Sequence, residues 1–470
     1  MAAITTVDVE PGRLEKSGFL GMNSTKNRLF FSKEGVVGQD QFAANLNPLR
    51  KLLMPASLVC NLQQDRYLFS LGIVATLLNN QTTVLPPSLA PQAIVASMSG
   101  ARDPVIFAAA PDNDNIARRI SFDGTEMTSV GHEDFRSSLK DARAEIRVFS
   151  SGTTKHPECN VKTWSMLRGG AAITDQILQG LDVEPDSLAL IGTTPHGHMF
   201  GLEATVFAAL GFGHCVYRDT VFYPADLEAA TKVARELGFS KLVLVTSPAH
   251  LRFLESTILA TPEICCVLSA TAPLSRAQAE RIEARGGVKV MEIYGSTETG
   301  SLAFRRTTQD ETWTPAAGFR LVSGTATGCT AGAPHLPEPV LLGDDVDLRP
   351  DGHFKLLGRT GDIVSIRGKR NRVSALNAIL VEVSEISDGI FLHSKRESND
   401  LLAIAAVPAL DNALSETVIK VAIRKHLLRY VDPAFVPKKI LIQKEIPRTP
   451  TGKVRNEKID ELAKQAGISG

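Results

Sequence analysis

Residues Ser150–Pro157 combine the residue types that can hold a phosphate group. A glycine among hydroxyl residues after a buried strand offers backbone N–H groups and hydroxyl donors to a polyphosphate. The segment is not a Walker A loop, because the ending Gly-Lys-Ser/Thr is absent. A polar turn is the alternative interpretation of these residues alone. The segment consists of Ser150, Ser151, Gly152, Thr153, Thr154, Lys155, His156 and Pro157.

A second candidate segment, Tyr294-Gly295-Ser296-Thr297-Glu298, also follows a β-rich run directly. It places an aromatic ring, hydroxyl groups and a carboxylate at the carboxyl end of a strand, where open α/β sheets bind ligands. The Glu298 carboxylate is an oxygen ligand of the kind that Mg²⁺ prefers. A tyrosine that only packs at a strand end is an equally good interpretation of this segment by itself.

Two further segments carry polar groups on turns. Asp344 and Arg359 flank an Asp-Gly pair, Asp351-Gly352, which predicts a β-hairpin. On such a hairpin Asp344 can accept hydrogen bonds from a sugar diol, and Arg359 can donate to the same ring. Near the end of the chain, Lys453 stands on the proline- and glycine-bounded segment Pro447–Arg455, which can present it to another domain; a solvated basic tail is the alternative.

The elements that must position these segments alternate between strands and helices. Buried apolar runs separated by amphipathic helices predict βαβ units and a mostly parallel sheet, and hence an α/β fold. The helices are predicted over Tyr223–Leu237 and Ser275–Arg285, where Ser275 and Gln278 have the spacing of a capping box. The strands are predicted at Glu145–Phe149, Leu188–Gly192, Lys241–Thr246, Ile264–Ser269 and Val288–Ile293.

Composition excludes some classes of protein. The 470 residues contain 51 basic and 51 acidic side chains, and this neutrality argues against a dedicated nucleic-acid-binding protein. The six cysteines form no zinc-ligand spacing, which favours reduced thiols and a cytoplasmic protein. The first residues lack the pattern of a signal peptide, and the longest apolar run, Leu401–Leu410, is too short to span a bilayer, so we expect no transmembrane segment.

Charge is distributed unevenly along the chain. From Arg359 to the end there are 19 basic and 13 acidic residues, a balance of +6, so the first 358 residues carry −6. The junction Gly358–Gly368 is punctuated by glycines, as a linker is. We therefore predict two domains, residues 1–358 and 359–470, the second of them small and basic.

Taken together in this order, the segments resemble the adenylate-forming superfamily of acyl- and aryl-CoA synthetases, nonribosomal adenylation domains and luciferases. The resemblance covers about residue 50 to the end. The stretch Asn61–Ser88 is similar to short stand-alone AMP-ligases of bacterial aryl polyene pigment clusters. The matching segments are the phosphate loop Phe149–Glu158, the acid-pocket segment Pro195–Gly201, the adenine turn Ser269–Leu274, Tyr294–Glu298, Gly343–Gly352 with Leu357–Arg359, and the lysine loop Pro447–Arg455.

The resemblance implies a role for each matching residue. The hydroxyls of the phosphate loop hold ATP phosphates, Thr297 contacts the α-phosphate, Glu298 binds Mg²⁺, and Lys453 bridges the acid and the phosphate. It implies a large α/β domain and a mobile α+β domain that pivots at Gly361. Ala272, Pro273 and Tyr294 are placed around adenine, Gly295 and Ser296 among the other ATP-binding residues, Asp344 and Arg359 at the ribose, and His198, Met199, Gly201 and Ser269 in the acid pocket.

The resemblance also implies a reaction. A carboxylic acid and ATP form acyl-AMP and pyrophosphate, and the acyl group passes to the phosphopantetheine thiol of a separate acyl carrier protein. The aryl polyene likeness favours an aromatic, hydroxybenzoate-like acid. A medium-chain or aryl acyl-CoA synthetase that uses coenzyme A is the alternative, and a non-catalytic nucleotide- or acyl-binding protein is an alternative of a different class.

Three departures from the family pattern bear on these expectations. Lys155 stands where glycine is usual, Glu158 where lysine is usual, and Gly361 where a charged hinge residue is usual. We expect Lys155 to supply the charge that the family places three residues later. His196 and the cluster Lys369–Arg372 are expected to be structural, the latter as a solvated turn. Cys265 and Cys266 are expected in the core.

Overall fold

The structure is a computed structural model. It describes residues 27–109, 117–124, 135–140, 142–149, 158–323, 329–359, 362–367, 369–394, 400–409, 414–449 and 454–468. Its strands, in chain order, are β1 (Arg28–Ser32), β2 (Gly35–Gly38), β3 (Leu58–Asn61), β4 (Thr82–Leu85), β5 (Val105–Phe107), β6 (Arg118–Ile120), β7 (Ile146–Phe149), β8 (Cys159–Lys162), β9 (Leu188–Gly192), β10 (Cys215–Tyr217), β11 (Lys241–Thr246), β12 (Ile264–Ser269), β13 (Lys289–Ser296), β14 (Gly300–Arg306), β15 (Thr314–Pro315), β16 (Arg320–Ser323), β17 (Cys329–Gly332), β18 (Val340–Leu341), β19 (Asp344–Leu348), β20 (Phe354–Arg359), β21 (Ile363–Ile366), β22 (Lys369–Arg372), β23 (Ile386–Ser394), β24 (Leu401–Pro408) and β25 (Lys439–Ile442).

Helices cover the strands and connect them. A π-helix, Leu202–Phe207, is inserted between two short α-helical turns. The α-helices are α1 (Gln39–Leu53), α2 (Arg66–Leu78), α3 (Pro91–Ser97), α4 (Phe135–Leu139), α5 (Trp164–Gln179), α6 (Met199–Gly201), α7 (Ala208–Phe212), α8 (Pro224–Glu236), α9 (Pro248–Ala260), α10 (Arg276–Gly286), α11 (Val373–Leu380), α12 (Glu416–Tyr430) and α13 (Asn456–Gln465), and 3₁₀ turns lie at Pro185–Ser187 and Pro433–Phe435.

The larger sheet, which we call sheet 1, has nine strands in the order β15-β14-β13-β12-β11-β9-β10-β1-β2. The strands from β13 to β1 are parallel to one another, and β14, β15 and β2 are antiparallel additions. All five residues of β9 are buried, as expected of a strand covered on both faces. The predicted strands at Leu188–Gly192, Lys241–Thr246 and Ile264–Ser269 have the same bounds in the structure.

Sheet 2 has six strands in the order β6-β5-β3-β4-β7-β8, parallel except for the last pair. One apolar core joins the two sheets and contains side chains of sheet 1 such as Leu190 and of sheet 2 such as Val59. Helix α2 runs through this core, and twelve of its thirteen residues are buried. A helix that is apolar on all sides must be buried, which fixes α2 between the sheets.

Smaller sheets follow along the chain. The strands β19 and β20 form the predicted hairpin, whose turn contains Gly352 at a φ of +83°. β16, β17 and β18 form a three-stranded sheet beside it. Past residue 363, two separate apolar cores are built entirely from residues between Val364 and Ile468, around β23, β24 and β25. The domain boundary at residues 358 and 359, and the mobility of the second domain, remain predictions.

The α/β class with mostly parallel sheets is confirmed. Helices α8 and α10 lie within a residue or two of the predicted spans, and Ser275 caps α10 by accepting from the Gln278 backbone N–H at 3.5 Å. One prediction was wrong: Lys369–Arg372 is strand β22 rather than a solvated turn. Lys369 forms an ion pair with Asp432, and Arg372 forms one with Asp345 at 3.0 Å. Among the residues described, no helix is long and apolar enough to cross a membrane.

Candidate active site

Three of the predicted segments meet at one edge of sheet 1. Because β9, β11, β12 and β13 are parallel neighbours, their carboxyl ends lie side by side. The acid-pocket segment follows β9, the adenine turn follows β12, and the loop with Thr297 and Glu298 follows β13. This edge is where open α/β sheets bind ligands.

The loop after β13 is held in one shape by its own residues. Ser296 and Thr299 exchange hydrogen bonds, since the Ser296 N–H donates to Thr299 Oγ1 at 3.1 Å and the Thr299 N–H donates to Ser296 Oγ at 3.2 Å. Gly300 has a φ of +69°, and a Cβ on Gly295 would lie 2.2 Å from the Gly300 carbonyl oxygen. Both positions therefore require glycine. The loop presents Glu298 to solvent and leaves Thr297 half-buried.

The Glu298 carboxylate suits a divalent cation by its chemistry. Within the part of the chain that the structure describes, no side-chain hydrogen bond or ion pair of Glu298 is formed, and no group of three or more ligating side chains is assembled. Mg²⁺ is usually held by one or two carboxylates together with waters and phosphate oxygens rather than by a cage of protein ligands. A single exposed carboxylate beside a nucleotide therefore fits this ion.

Tyr294 links the loop to the β19–β20 hairpin. Its ring packs against Trp313 and Phe354, with centroids 5.6 and 6.0 Å apart, and its hydroxyl donates to Asp344 Oδ2 at 3.0 Å. In the hairpin Asp344 is paired directly with Arg359. The structure thus brings together Tyr294, Asp344 and the backbone of Arg359, which are far apart in sequence.

The adenine turn lies beside Tyr294 on the neighbouring strand. Ala272 and Pro273 are exposed, and Thr271 has a φ of +80°. Ser269, predicted for the acid pocket, is fully buried at the end of β12. The turn is attached to β13 because the Leu274 N–H donates to Glu292 Oε1 at 2.8 Å.

The acid-pocket segment begins the helix that contains the π-helix. His198 is half-buried and Met199 is buried, while a Cβ on Gly201 would lie 2.2 Å from the Pro195 carbonyl oxygen. His196 is only 5% exposed, and its Nε2 lies 2.8 Å from the Gln63 carbonyl oxygen. Burial, and then the positive charge of Arg66, lower the pKa of His196 to about 3, so the ring is neutral. This agrees with a structural role for His196.

Several predicted residues lie outside the described residues. They are Ser150, Ser151, Gly152, Thr153, Thr154, Lys155, Gly361 and Lys453. The strands around the phosphate loop are described: β7 and β8 pair antiparallel, with Phe149 opposite Cys159. The predicted phosphate loop lies between these two strands in the sequence. Cys266 is fully buried, as expected, and Cys265 is half-buried.

Comparison with known proteins identifies the family. The family model described as "AMP-binding enzyme" matches residues 83–327, more than half of the chain. The chain belongs to this family. Within the AMP-binding family, it is 32% identical to bacitracin synthase 3 of Bacillus licheniformis over 28% of this chain, and 26% identical to a 4-coumarate–CoA ligase of Cereibacter sphaeroides over 36% of this chain. It spans only 2% and 38% of these two relatives.

The fold is likewise that of solved structures. ATP-bound MatB from Rhodopseudomonas palustris superposes with a TM-score of 0.73, over 95% of this chain and 97% of that chain. The sequence identity is 15%, so this likeness shows the fold alone. The predicted membership of the adenylate-forming group is therefore confirmed at the level of family and fold.

Four side chains that form hydrogen bonds to the loops of the site were not predicted from the sequence. They are Lys162, Glu203, Glu292 and His335. A lone carboxylate in the apolar run Met199–Leu210 was a signal for Glu203, because charged groups are buried only when they are paired or hydrogen-bonded. The other three contact loops far from them in sequence, and no local pattern marks them.

Proposed function

We propose that this member of the AMP-binding family activates a carboxylic acid with ATP and passes the acyl group to a thiol. A carboxylate oxygen attacks the α-phosphorus, the bond between the α-phosphorus and the bridging oxygen breaks, and pyrophosphate leaves. The thiol sulfur then attacks the acyl carbon, the acyl–phosphate C–O bond breaks, and AMP leaves with the thiol proton passing to solvent.

One observation carries this proposal. Tyr294, Asp344 and the strand that ends at Arg359 converge beside the exposed loop of Thr297 and Glu298, at the ligand-binding edge of sheet 1. A ring face, a diol acceptor and a carboxylate next to one another match the base, ribose and metal-bound phosphates of a nucleotide. The family match supports the same ligand.

The chemistry that the chain must supply is mostly positioning and charge. The carboxylate and the phosphate are both anions, so their approach must be offset by cations. A bound Mg²⁺ would supply Lewis-acid stabilisation of the phosphate oxygens. Glu298 would hold it, the hydroxyls of Ser150, Thr153 and Thr154 would hold the phosphates, and Lys453 would stand between the two anions. Thr297 would donate to the α-phosphate.

We propose that residues 359–470 form a mobile domain that pivots at Gly361. Support comes from the separate apolar cores past residue 363 and from the lack of a Cβ at the pivot, since glycine absorbs large changes in φ and ψ. One face of the domain, bearing Lys453, would serve adenylation, and a rotated pose would serve thiol transfer. Gly361→Pro is expected to impair one or both half-reactions while thermal unfolding of the protein is unchanged.

For the acid we propose an aromatic, hydroxybenzoate-like compound, with His198, Met199 and Gly201 lining its pocket. For the acceptor we propose the phosphopantetheine of an acyl carrier protein. The relative named 4-coumarate–CoA ligase supports an aromatic acid and favours coenzyme A as the second candidate acceptor. We propose a cytoplasmic location from the six free thiols.

Lys453→Ala tests the proposed reaction through its two halves. Adenylation should fall by roughly 100-fold or more, as with the loss of an oxyanion donor. Transfer from pre-formed acyl-AMP to a thiol should be retained, because Lys453 is placed in the adenylation pose only. Parallel assays with coenzyme A and with holo carrier proteins then identify the acceptor. Equal loss in both halves would contradict the role of Lys453, and tight ATP binding without turnover of any acid would favour the non-catalytic alternative.

A further inference from the structure

Three polar side chains, outside the predicted site, lie beneath the loop formed by residues 296–301. They are Lys162, Glu203 and His335, and they come from β8, from the π-helix and from the segment after β17. Each makes a hydrogen bond to a backbone group of the loop rather than to another charged side chain. The loop that presents Thr297 and Glu298 is therefore held from three separate parts of the fold.

Lys162 joins the two sheets at this point. It is paired with Ile146 in sheet 2, yet its Nζ donates at 2.6 Å to the carbonyl oxygen of Glu298, which lies in the turn between β13 and β14 of sheet 1. The residue is only 2% exposed. Because β8 directly follows the predicted phosphate loop, Lys162 ties the strand behind that loop to the backbone of the predicted metal ligand.

Glu203 holds the other end of the same loop. Its Oε2 accepts from the Ser301 N–H at 2.9 Å and from the Ser301 Oγ at 2.6 Å. It is 1% exposed, and a Cβ on Gly170 or Gly300 would lie 1.9 or 2.5 Å from its Oε1. Two glycines thus make room for the carboxylate against the loop, and the π-helix turns Glu203 toward it.

Burying an ammonium and a carboxylate is expensive, and apolar residues of the same size are often neutral or better for stability. Lys162 and Glu203 form no direct ion pair within the described chain, and their attraction at longer range offsets only part of this cost. What their contacts do fix is the backbone from Glu298 to Ser301. His335, whose Nε2 lies 3.0 Å from the Thr299 carbonyl oxygen, adds a third contact.

We propose that Lys162 and Glu203 are positioning residues that fix the Glu298–Ser301 backbone so that Glu298 and Thr297 face the nucleotide and its divalent cation. This inference rests on the proposed function, because it assigns the metal-nucleotide complex to Glu298. Outer residues that orient a metal ligand typically change metal affinity or activity by 10- to 100-fold when replaced. Loss of either side chain should therefore weaken the binding of the metal-nucleotide complex.

The test uses the full chain and Mn²⁺ as a spectroscopic probe. Mn²⁺ binding is followed by electron paramagnetic resonance in the presence of a non-hydrolysable ATP analogue. Lys162→Met and Glu203→Leu should raise the Mn²⁺ dissociation constant by roughly tenfold or more. Lys162→Arg retains a donor and Glu203→Gln retains an acceptor, so these two variants should keep a good part of the wild-type affinity for Mn²⁺. The matched control is Lys289→Met at the opposite end of β13, which should leave the constant unchanged.

Thermal unfolding of every variant separates positioning from stability. The proposal is overturned if Lys162→Met and Glu203→Leu fold and bind Mn²⁺ with the wild-type constant. It is also overturned if the conservative variants fold but restore nothing. Should the apolar variants fail to fold, Lys162→Arg and Glu203→Gln alone must show intermediate constants. If the wild type binds the Mn²⁺–nucleotide complex but exchanges no pyrophosphate with any acid, the proposed function fails while the positioning effect is still measured.

Discussion

Two buried carboxylates contact neighbouring parts of the site, but one is paired with a cation and the other is not. Glu292 on β13 supports the adenine turn, and its two oxygens accept from the Leu274 N–H, from Thr307 Oγ1 and from the Arg305 guanidinium, which lies 2.6 Å away. Glu203 supports the loop after β13 and accepts only from Ser301, with no partner for Oε1 within the described chain. Both residues are almost fully buried.

The difference in partners gives the two buried carboxylates different properties. A carboxylate with a cation and a full set of donors is a structural link, whereas one with a partly satisfied oxygen remains sensitive to its protonation. Burial raises the pKa of Glu203 to about 7, although Ser301 and Lys162 lower it. The adenine turn therefore rests on a carboxylate that is paired with a cation, and the Thr297–Glu298 loop rests on one that can titrate.

The largest expected effect is on stability at Glu292. Glu292→Ala leaves Arg305 and the Leu274 N–H without their acceptor, and we expect the free energy of unfolding to fall by roughly 3–5 kcal/mol. Chemical denaturation at neutral pH measures the change. Glu255→Ala is the control, because its ion pair with Arg281 is more exposed and should contribute less than about 1 kcal/mol. Equal losses of unfolding free energy in the two variants would mean that Glu292 contributes no more than an exposed ion pair does.

The next effect is a pH dependence that belongs to Glu203. Since its pKa is about 7 in the folded state and 4.5 in the reference state, the folded protein keeps a proton that the unfolded chain releases above pH 4.5. Stability should therefore fall as pH rises from about 4.5 to 7, by up to about 3 kcal/mol, and level off above. Glu203→Gln cannot titrate, so its stability relative to the wild type should improve across this interval. Parallel pH profiles of the two proteins would contradict the assignment.

A smaller effect is expected at the phosphate loop that precedes Lys162. Lys155→Ala should raise the KM for ATP by roughly tenfold through the loss of a charge-assisted contact, with no change in stability. Glu158→Ala should leave that KM unchanged or lower it. Steady-state exchange kinetics at saturating acid give both values. An unchanged KM in Lys155→Ala would mean that Lys155 points into solvent and makes no contact with ATP.

The smallest effect concerns surface charge, which solvent screens. Residues 359–470 carry +6, and acyl carrier proteins are typically acidic, so carrier loading should slow by a few-fold as salt rises. Adenylation should change less, because it needs no encounter between two charged proteins. Rates of the two half-reactions at 50 and 500 mM salt, about a threefold difference in screening length, make the comparison. Efficient, salt-insensitive transfer to coenzyme A would instead make the chain a CoA ligase.

The sequence predicted the elements of sheet 1 well and the supports beneath its loops poorly. Apolar runs such as Leu188–Gly192 carry their own signal, because parallel strands are buried on both faces. The strand β13 was expected to end at Ile293 but continues to Ser296, since Tyr294 pairs with Ala303 of β14. That pairing depends on a strand that comes later in the chain and has no local pattern.

At the ligand-binding edge of sheet 1, segments with a local sequence pattern were likewise predicted, and contacts between distant residues were not. The segment Tyr294–Glu298 and the Asp344–Arg359 hairpin were predicted from turn and strand patterns. The contacts of Lys162 with Glu298 and of Glu203 with Ser301 join residues 136 and 98 positions apart. The first joins the two sheets and the second joins a helix to β14 of sheet 1, so no sequence spacing predicts either contact. The strand at Lys369–Arg372 was missed for a similar reason, because its charges are paired with Asp345 and Asp432.

We propose that this site joins a carboxylic acid to AMP. The most direct measurement is isotope exchange between labelled pyrophosphate and ATP, with purified full-length protein, Mg²⁺ and a panel of aromatic and aliphatic acids. We expect exchange that depends on the acid, is strongest with hydroxybenzoate-like compounds, and is lost with Glu298→Ala and Lys453→Ala. An absence of acid-dependent exchange with every acid, in a protein that binds ATP, would contradict it.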